Sequence, residues 1–228
     1  LIRLRDDLVL EYITLLNMLG CYEEAKQMLD CRIFHPWEGG EGKVPAQYQY
    51  ARVEMAKIAL AEEKSQKAIA LLEECLEYPC HLGEGKLYGA QENDFHYFLG
   101  CAYEQLGKPD KACECWEKAT LGTQEPAAAI YYNDAKPEKI FYQGLALKKL
   151  GRDSEACSRF YKLVNYGKQH IFEKQTMDYF AVSLPDLQIW EGDLDVKNRI
   201  HCLFMLALGY AGLGEKERAE SYSVYHLE

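Results

Sequence analysis

The sequence predicts an all-α fold of stacked helical hairpins, about five of them, with lengthened loops between successive hairpins. Three observations predict it. A short pattern, an apolar run ending in Leu-Gly, a polar turn and then an Ala, recurs four times. A fifth stretch keeps the Ala without the Leu-Gly. The alanines, at 25, 68, 112, 156 and 219, are spaced by 43, 44, 44 and 63 residues. Self-similarity at such a period is the signature of a repeat architecture, in which each unit buries its apolar face only against its neighbours.

The clear copies are Leu19-Gly20-Cys21-Tyr22-Glu23-Glu24-Ala25, Leu106-Gly107-Lys108-Pro109-Asp110-Lys111-Ala112, Leu150-Gly151-Arg152-Asp153-Ser154-Glu155-Ala156 and Leu213-Gly214-Glu215-Lys216-Glu217-Arg218-Ala219. Gly ends the first helix of each hairpin because it accepts positive φ just past the last turn. Ala stands where two helices cross closely and a larger side chain would clash. The degenerate copy has Ala56, Ala68 and Leu72, with Glu62-Glu63-Lys64 at the turn. The expected hairpins lie near 6–32, 48–78, 93–120, 137–165 and 196–226, within one repeat domain. The gap of 63 leaves room for a further helix around Phe172 to Phe180.

The pattern resembles the tetratricopeptide repeat. Its best copy runs from Asn93 to about Pro126, where Gly100, Tyr103, Leu106, Gly107, Ala112, Trp116 and Ala119 stand at that repeat's small and large positions. The next copy has Gly144, Leu147, Leu150, Gly151, Ala156 and Phe160. The resemblance implies a right-handed α-α superhelix whose concave face is lined by the first helices. Its period is about ten residues longer than the standard one of about 34. The extra residues fall in the junctions.

Those junctions carry a second recurrence. Gly-Glu-Gly-Lys occurs at 40–43, after Phe34-His35-Pro36-Trp37-Glu38-Gly39, and at 83–86, after Pro79-Cys80-His81-Leu82. The offset of 43 equals the repeat period. Neither is a phosphate loop, because that motif needs Gly, four residues, then Gly-Lys-Ser/Thr after a strand. Val44 and Leu87 stand after the lysines instead. Two readings stay open. In one, the glycines make tight turns and each Glu caps the next helix. In the other, both loops lie on one rim, and Trp37, Glu38, Glu41, Lys43, Glu84 and Lys86, with Asn93 and Asp94, form a polar, aromatic binding edge. Trp37 itself either covers the end of the first hairpin or stands out as a platform. The stretch Ala181–Asp195 is acidic and aromatic, and an ordinary loop accounts for it.

His35-Pro36-Trp37-Glu38-Gly39-Gly40-Glu41-Gly42-Lys43, Leu82-Gly83-Glu84-Gly85-Lys86, Gln91-Glu92-Asn93-Asp94 and Leu184-Pro185-Asp186-Leu187 together resemble more than a generic array. They are similar to the C-terminal helical region of a family of large, mostly bacterial proteins of unassigned function. There a β-rich, sugar-mutarotase-like N-terminal portion precedes tetratricopeptide repeats. The resemblance implies carbohydrate metabolism for the parent protein, with the hairpins as its non-catalytic half, and it carries no residue roles.

Composition narrows the function classes. The formal charge of −10 comes with no basic block, which disfavours nucleic acid. No apolar run approaches the roughly 20 residues of a membrane span. Nine cysteines, an odd number without Cys-x-x-Cys, suggest free thiols, mostly buried, in a reducing cytoplasmic setting rather than disulfides or zinc. Leu1 in place of Met suggests a piece of a longer protein, and the terminal Leu227-Glu228 a tag junction. No cofactor or metal is expected, and no nucleophile elbow or ligand pair points to an enzyme. The expected partner is a protein or peptide, including the parent's own N-terminal portion. The expected concave face comprises Tyr50, Lys57, Asp94, Tyr97, Glu104, Glu138, Phe141, Lys148, His201 and Phe204. Its acidic members favour a basic or aromatic peptide over an acidic tail.

Overall fold

A computed structural model describes residues 5–128, 134–175 and 193–224. Among the described residues there are ten α-helices and no strand. They are α1 (Asp6–Met18), α2 (Tyr22–Asp30), α3 (Lys43–Ala61), α4 (Ser65–Leu76), α5 (Asn93–Gln105), α6 (Pro109–Ala119), α7 (Pro137–Lys149), α8 (Asp153–His170), α9 (Leu194–Leu213) and α10 (Lys216–Val224). A single 3₁₀ turn, Cys80–Leu82, interrupts the α4–α5 junction. The chain divides into two compact units, Leu1–Cys115 and Trp116–Glu228.

The same turn closes all five hairpins. One residue adopts a left-handed conformation, Gly20, Glu63, Gly107, Gly151 or Gly214, with φ of 77°, 59°, 67°, 73° and 83°. Its N–H donates three residues back, to the carbonyls of Asn17, Leu60, Glu104, Lys148 and Ala211. The next N–H, of Cys21, Lys64, Lys108, Arg152 or Glu215, donates five residues back, to Leu16, Ala59, Tyr103, Leu147 or Tyr210, at 2.8–2.9 Å. These two bonds satisfy carbonyls that a helix end otherwise leaves open. The repeated Ala is then the fourth residue of every second helix. All five alanines are buried.

The degenerate copy is therefore a full structural repeat. Glu63 is the only non-glycine with positive φ among the described residues. The turn it sits in is braced from α5: the Gln105 amide donates to the Leu60 carbonyl at 3.2 Å and accepts from the Ser65 hydroxyl at 2.8 Å.

In the first unit, Val9, Leu10, Ile13 and Leu16 of α1 pack with Ala25 and Leu29 of α2 and with Val44, Tyr48 and Ala51 of α3. A second cluster joins Val53 and Ala56 of α3, Leu71, Leu72 and Cys75 of α4, and Phe95, Leu99 and Ala102 of α5. In the second unit the governing side chain is Phe160, four residues after Ala156. A Cβ at Gly144 would sit 2.4 Å from its ring, and one at Gly212 2.2 Å. The ring thus lies between a glycine of α7 and a glycine of α9. Gly167 of α8 and Gly209 of α9 bring α8 and α9 together: a Cβ would sit 2.8 Å from the Cys202 carbonyl oxygen at the first and 2.6 Å from the Val164 side chain at the second.

Two expectations are corrected. Only Cys75 and Cys202 are buried; Cys21, Cys31, Cys80 and Cys113 are exposed and the other three intermediate, all nine being free thiols. Cys113 and Cys157 come one residue after a repeat alanine, so they lie about 100° round the helix from the buried stripe. Secondly, α8 ends at His170, and residues 172–175 are not helical, so no helix starts at Phe172. The rest of that expected helix, and most of 181–195, lie outside the described residues. Helix α3 also begins at Lys43 rather than near 48, and α8 extends past 165.

A left-handed non-glycine costs about 1–2 kcal/mol, part of which the extra freedom of an unfolded glycine offsets. Glu63→Gly should therefore raise unfolding stability by up to about 1 kcal/mol. Gly107→Ala, at φ 67°, should lower it by about 1–2 kcal/mol. Chemical denaturation of both variants checks the pair; a clear loss in Glu63→Gly would contradict the shared turn.

Candidate interaction surfaces

Two surfaces were expected, a loop rim and a face of the first helices. At the rim, the two loops bond to each other directly. The Phe34 N–H donates to the His81 carbonyl at 2.7 Å. Gly83, at φ 79°, lies so close that a Cβ there would be 2.6 Å from the Phe34 carbonyl oxygen. Glu84 Oε2 accepts from the Gly42 N–H at 2.7 Å, at the N-terminus of α3. Burial is the main reason the Glu84 carboxyl titrates above its ordinary range, ahead of the opposing Gly42 bond.

The capping expectation is corrected here. Glu84 caps the helix behind it, α3, not α5 ahead of it. The two Gly-Glu-Gly-Lys stretches also differ in backbone. Gly42 is left-handed and sits immediately before α3, whereas in the second stretch it is Gly83 that is left-handed, and Lys86 stands well ahead of Asn93, where α5 starts. Identical letters at the repeat offset thus take different conformations, because one stretch enters a helix and the other continues as loop.

The remaining rim residues have distinct surroundings. Trp37 is half-buried against the first core cluster, and its ring lies over Gly40, where a Cβ would come within 2.2 Å. It covers the end of the first hairpin. Glu38 is exposed, and Glu41 and Lys43 are half-buried. Lys86 pairs with Glu92 at 2.6 Å and lies over the Tyr78 ring. Asn93 and Asp94, the first residues of α5, are buried. Asp6 locks the first hairpin to its loop by accepting from Arg32 Nε at 2.6 Å and the His35 N–H at 2.9 Å.

On the first helices of the first unit, Tyr50 and Glu104 are exposed and Lys57 and Tyr97 half-exposed. Tyr50 meets Tyr22 edge-on at 6.2 Å. Lys57 pairs with Glu54 at 2.6 Å and lies 5.4 Å from the Phe98 ring centre, which ties α3 to α5. Burial, then the Glu54 charge, push both tyrosine hydroxyls above their ordinary range. In the second unit, three of the expected residues serve internal contacts. Phe141 packs on Phe160, Lys148 Nζ donates to the Gly212 carbonyl, and His201 Nε2 lies 2.8 Å from the Ala127 carbonyl. Glu138 is half-buried and Phe204 exposed.

The sequence reading missed Arg52. This α3 side chain is 1% exposed. Nε donates to Glu74 of α4 at 2.7 Å, another nitrogen donates to Asp30 of α2, and the guanidinium lies 3.4 Å from the Tyr48 ring centre. Lys26 Nζ also reaches Asp30 at 2.7 Å. Burial alone would raise the Asp30 carboxyl, but hydrogen bonds from Lys26 and Arg52 outweigh it and hold it below the usual range. Burial pushes Tyr48 up to about 12. A signal did exist: counted from the hairpin turn, Arg52 stands where α1, α7 and α9 have Val9, Ile140 and Leu203, and α5 has His96. A charge at a position that is apolar in three of the other four first helices calls for partners. Among the described residues no group of acids, histidines and cysteines is arranged to hold a metal ion, and no helix is long and apolar enough to cross a membrane.

These helices can be set beside known proteins. Residues 94–121 match the tetratricopeptide repeat. That stretch covers nearly all of α5 and α6. Over the whole chain, two crystal structures of nearly identical TPR-like repeats from a kinesin light chain-like protein of Podosopora anserina are similar at 16% identity and a TM-score of 0.37. One is a single-substitution variant, with 95% of this chain and 90% of that one covered; for the other the shares are 93% and 89%. At that level of likeness the hairpin assignment rests on the five shared turns.

Asp30 gives the surface a measurable pH response. A depressed native pKa contributes stability that is present above the unfolded carboxylate pKa and lost as pH falls through the native one. Asp30→Asn should therefore be less stable than the unsubstituted chain at pH 7, with the difference shrinking towards pH 3. Urea titrations at both pH values check this; a difference independent of pH would contradict it.

Proposed function

We propose that this chain is a non-catalytic protein-interaction module that takes an extended, basic or aromatic peptide along the first helices α3 and α5 of its first unit. The observation that carries the reading is the α3–α5 face. Tyr50 and Lys57 of α3 and Tyr97 and Glu104 of α5 are partly or fully exposed there, with the Glu54 carboxylate paired to Lys57. Tetratricopeptide arrays generally mediate protein–protein contacts, and 94–121 matches that repeat. A net charge of −10 adds long-range attraction for a basic ligand and repels an acidic tail.

A second reading makes the chain an accessory part of a carbohydrate-active bacterial protein, with the loop rim packed on a catalytic portion elsewhere. The direct Glu84–Gly42 bond, which holds the two loops together, favours it. Trp37 and Glu84 serve the fold itself, so exposed Glu38 is the side chain whose replacement tests the rim without unseating a helix.

The test uses fluorescence anisotropy with a panel of Lys/Arg-Tyr and Asp/Glu-rich peptides of equal length. The basic, aromatic peptides should bind more tightly, weaken with added salt, and weaken at least tenfold in a Tyr50→Ala, Glu104→Lys double variant. A preference for acidic peptides, or binding indifferent to the double variant, would overturn the proposal.

A further inference from the structure

Helix α1 has two apolar faces, and only one of them is covered. Val9, Leu10, Ile13 and Leu16 are buried within the first hairpin and α3. On the other side Leu8, Tyr12 and Leu15 are 38%, 45% and 55% exposed, and Leu19 continues the stripe. Their spacing of four, three and four residues places them on one side of the helix.

The repeat register says what such a stripe does. Counted from the hairpin turn, Leu8, Tyr12 and Leu15 correspond to Ala51, Met55 and Ile58 in α3, to Phe95, Leu99 and Ala102 in α5, and to Cys202, Leu206 and Gly209 in α9. In α5 all three are buried in one cluster with Leu71, Leu72 and Cys75 of the preceding α4. In α9, Gly167 of the preceding α8 comes against Cys202 and Leu206, and Gly209 comes against Val164 and the Phe160 backbone. In α3, Ala51 is buried with Ala25 and Leu29 of the preceding α2, while Ile58 stays 50% exposed. In α5 and α9 these positions receive the second helix of the hairpin before, and in α3 the first of them does. In α1 they are apolar and open.

We propose that this face of α1 docks an amphipathic partner helix, packed across it as α4 packs across α5. The partner helix presents an alanine and, four residues later, a large apolar side chain, the stripe that Ala25/Leu29, Ala68/Leu72 and Ala156/Phe160 present within this chain. A second copy of the chain is a poorer occupant. The corresponding stripe of α10 has Ser223, exposed, in place of the large side chain, among Lys216, Glu217, Arg218 and Glu220. The site is separate from the α3–α5 peptide face.

The test uses a fluorescently labelled, hydrocarbon-stapled peptide with the sequence of residues 65–76, titrated into the chain and read by anisotropy and by amide chemical shifts. Saturable binding with shifts centred on Leu8, Tyr12 and Leu15 is expected, at least tenfold weaker in Leu15→Glu and in Tyr12→Arg. Both variants should keep the melting temperature of the unsubstituted chain, because the side chains are exposed. Tyr50→Ala should leave this binding unchanged, which separates it from the peptide face. No saturable binding at millimolar peptide, or shifts centred elsewhere, would overturn the proposal. Self-association of the chain that Leu15→Glu abolishes would replace the partner helix with a second copy and overturn it equally.

Discussion

One backbone event is common to all five hairpins: after each first helix a single residue turns left-handed, and the next N–H reaches back five residues to close the helix end. The turn fixes where the chain re-enters helical conformation. It therefore fixes that the fourth residue of the second helix faces the first, and only a small side chain fits there. Every hairpin meets that requirement with alanine. If the turn opened, the alanine would lose its register, and the large residue four positions on would lose its socket.

Hairpins differ from one another in how that socket is filled. In four of the five, Leu29, Leu72, Trp116 and Phe160 stand four residues after the alanine, all of them buried. The partners adjust in compensation: Gly144 and Gly212 leave room for the Phe160 ring. The first unit also contains a polar solution, with Arg52 satisfied by Asp30, Glu74 and the Tyr48 face. A buried charge of this kind is costly to strip of one partner and contributes modestly when intact. Its role is to set how α2, α3 and α4 meet. The loops are subordinate to the same packing, as Glu84 capping α3 and Gly83 lying on Phe34 make plain.

The hairpins were legible because Leu-Gly and Ala report local backbone requirements that only a few residues meet. Where the requirement was met by an unexpected residue, Glu63, the alanine alone carried the register. The loops were less legible. Gly-Glu-Gly-Lys repeats as letters, but each glycine's conformation is set by the segment it leads into, a helix at Lys43 and more loop at Lys86. Cysteine burial was misread because position relative to the alanine matters more than residue type, and a one-residue offset turns Cys113 and Cys157 away from the core. Of the expected surface residues, Trp37, Glu84, Lys148 and His201 hold the fold together. Their partners, at Gly40, Gly42, Gly212 and Ala127, leave no mark in the sequence pattern around them.

The most direct measurement of the shared turn is native-state amide hydrogen exchange at the five residues that donate back across it, Cys21, Lys64, Lys108, Arg152 and Glu215. Each should be protected well above the loop amides of its own junction, with Lys64 protected like the other four despite the Glu62-Glu63 turn. A Lys64 amide that exchanges as freely as an unstructured loop, with the others protected, would show that the second hairpin closes differently and would break the common register on which the fold rests.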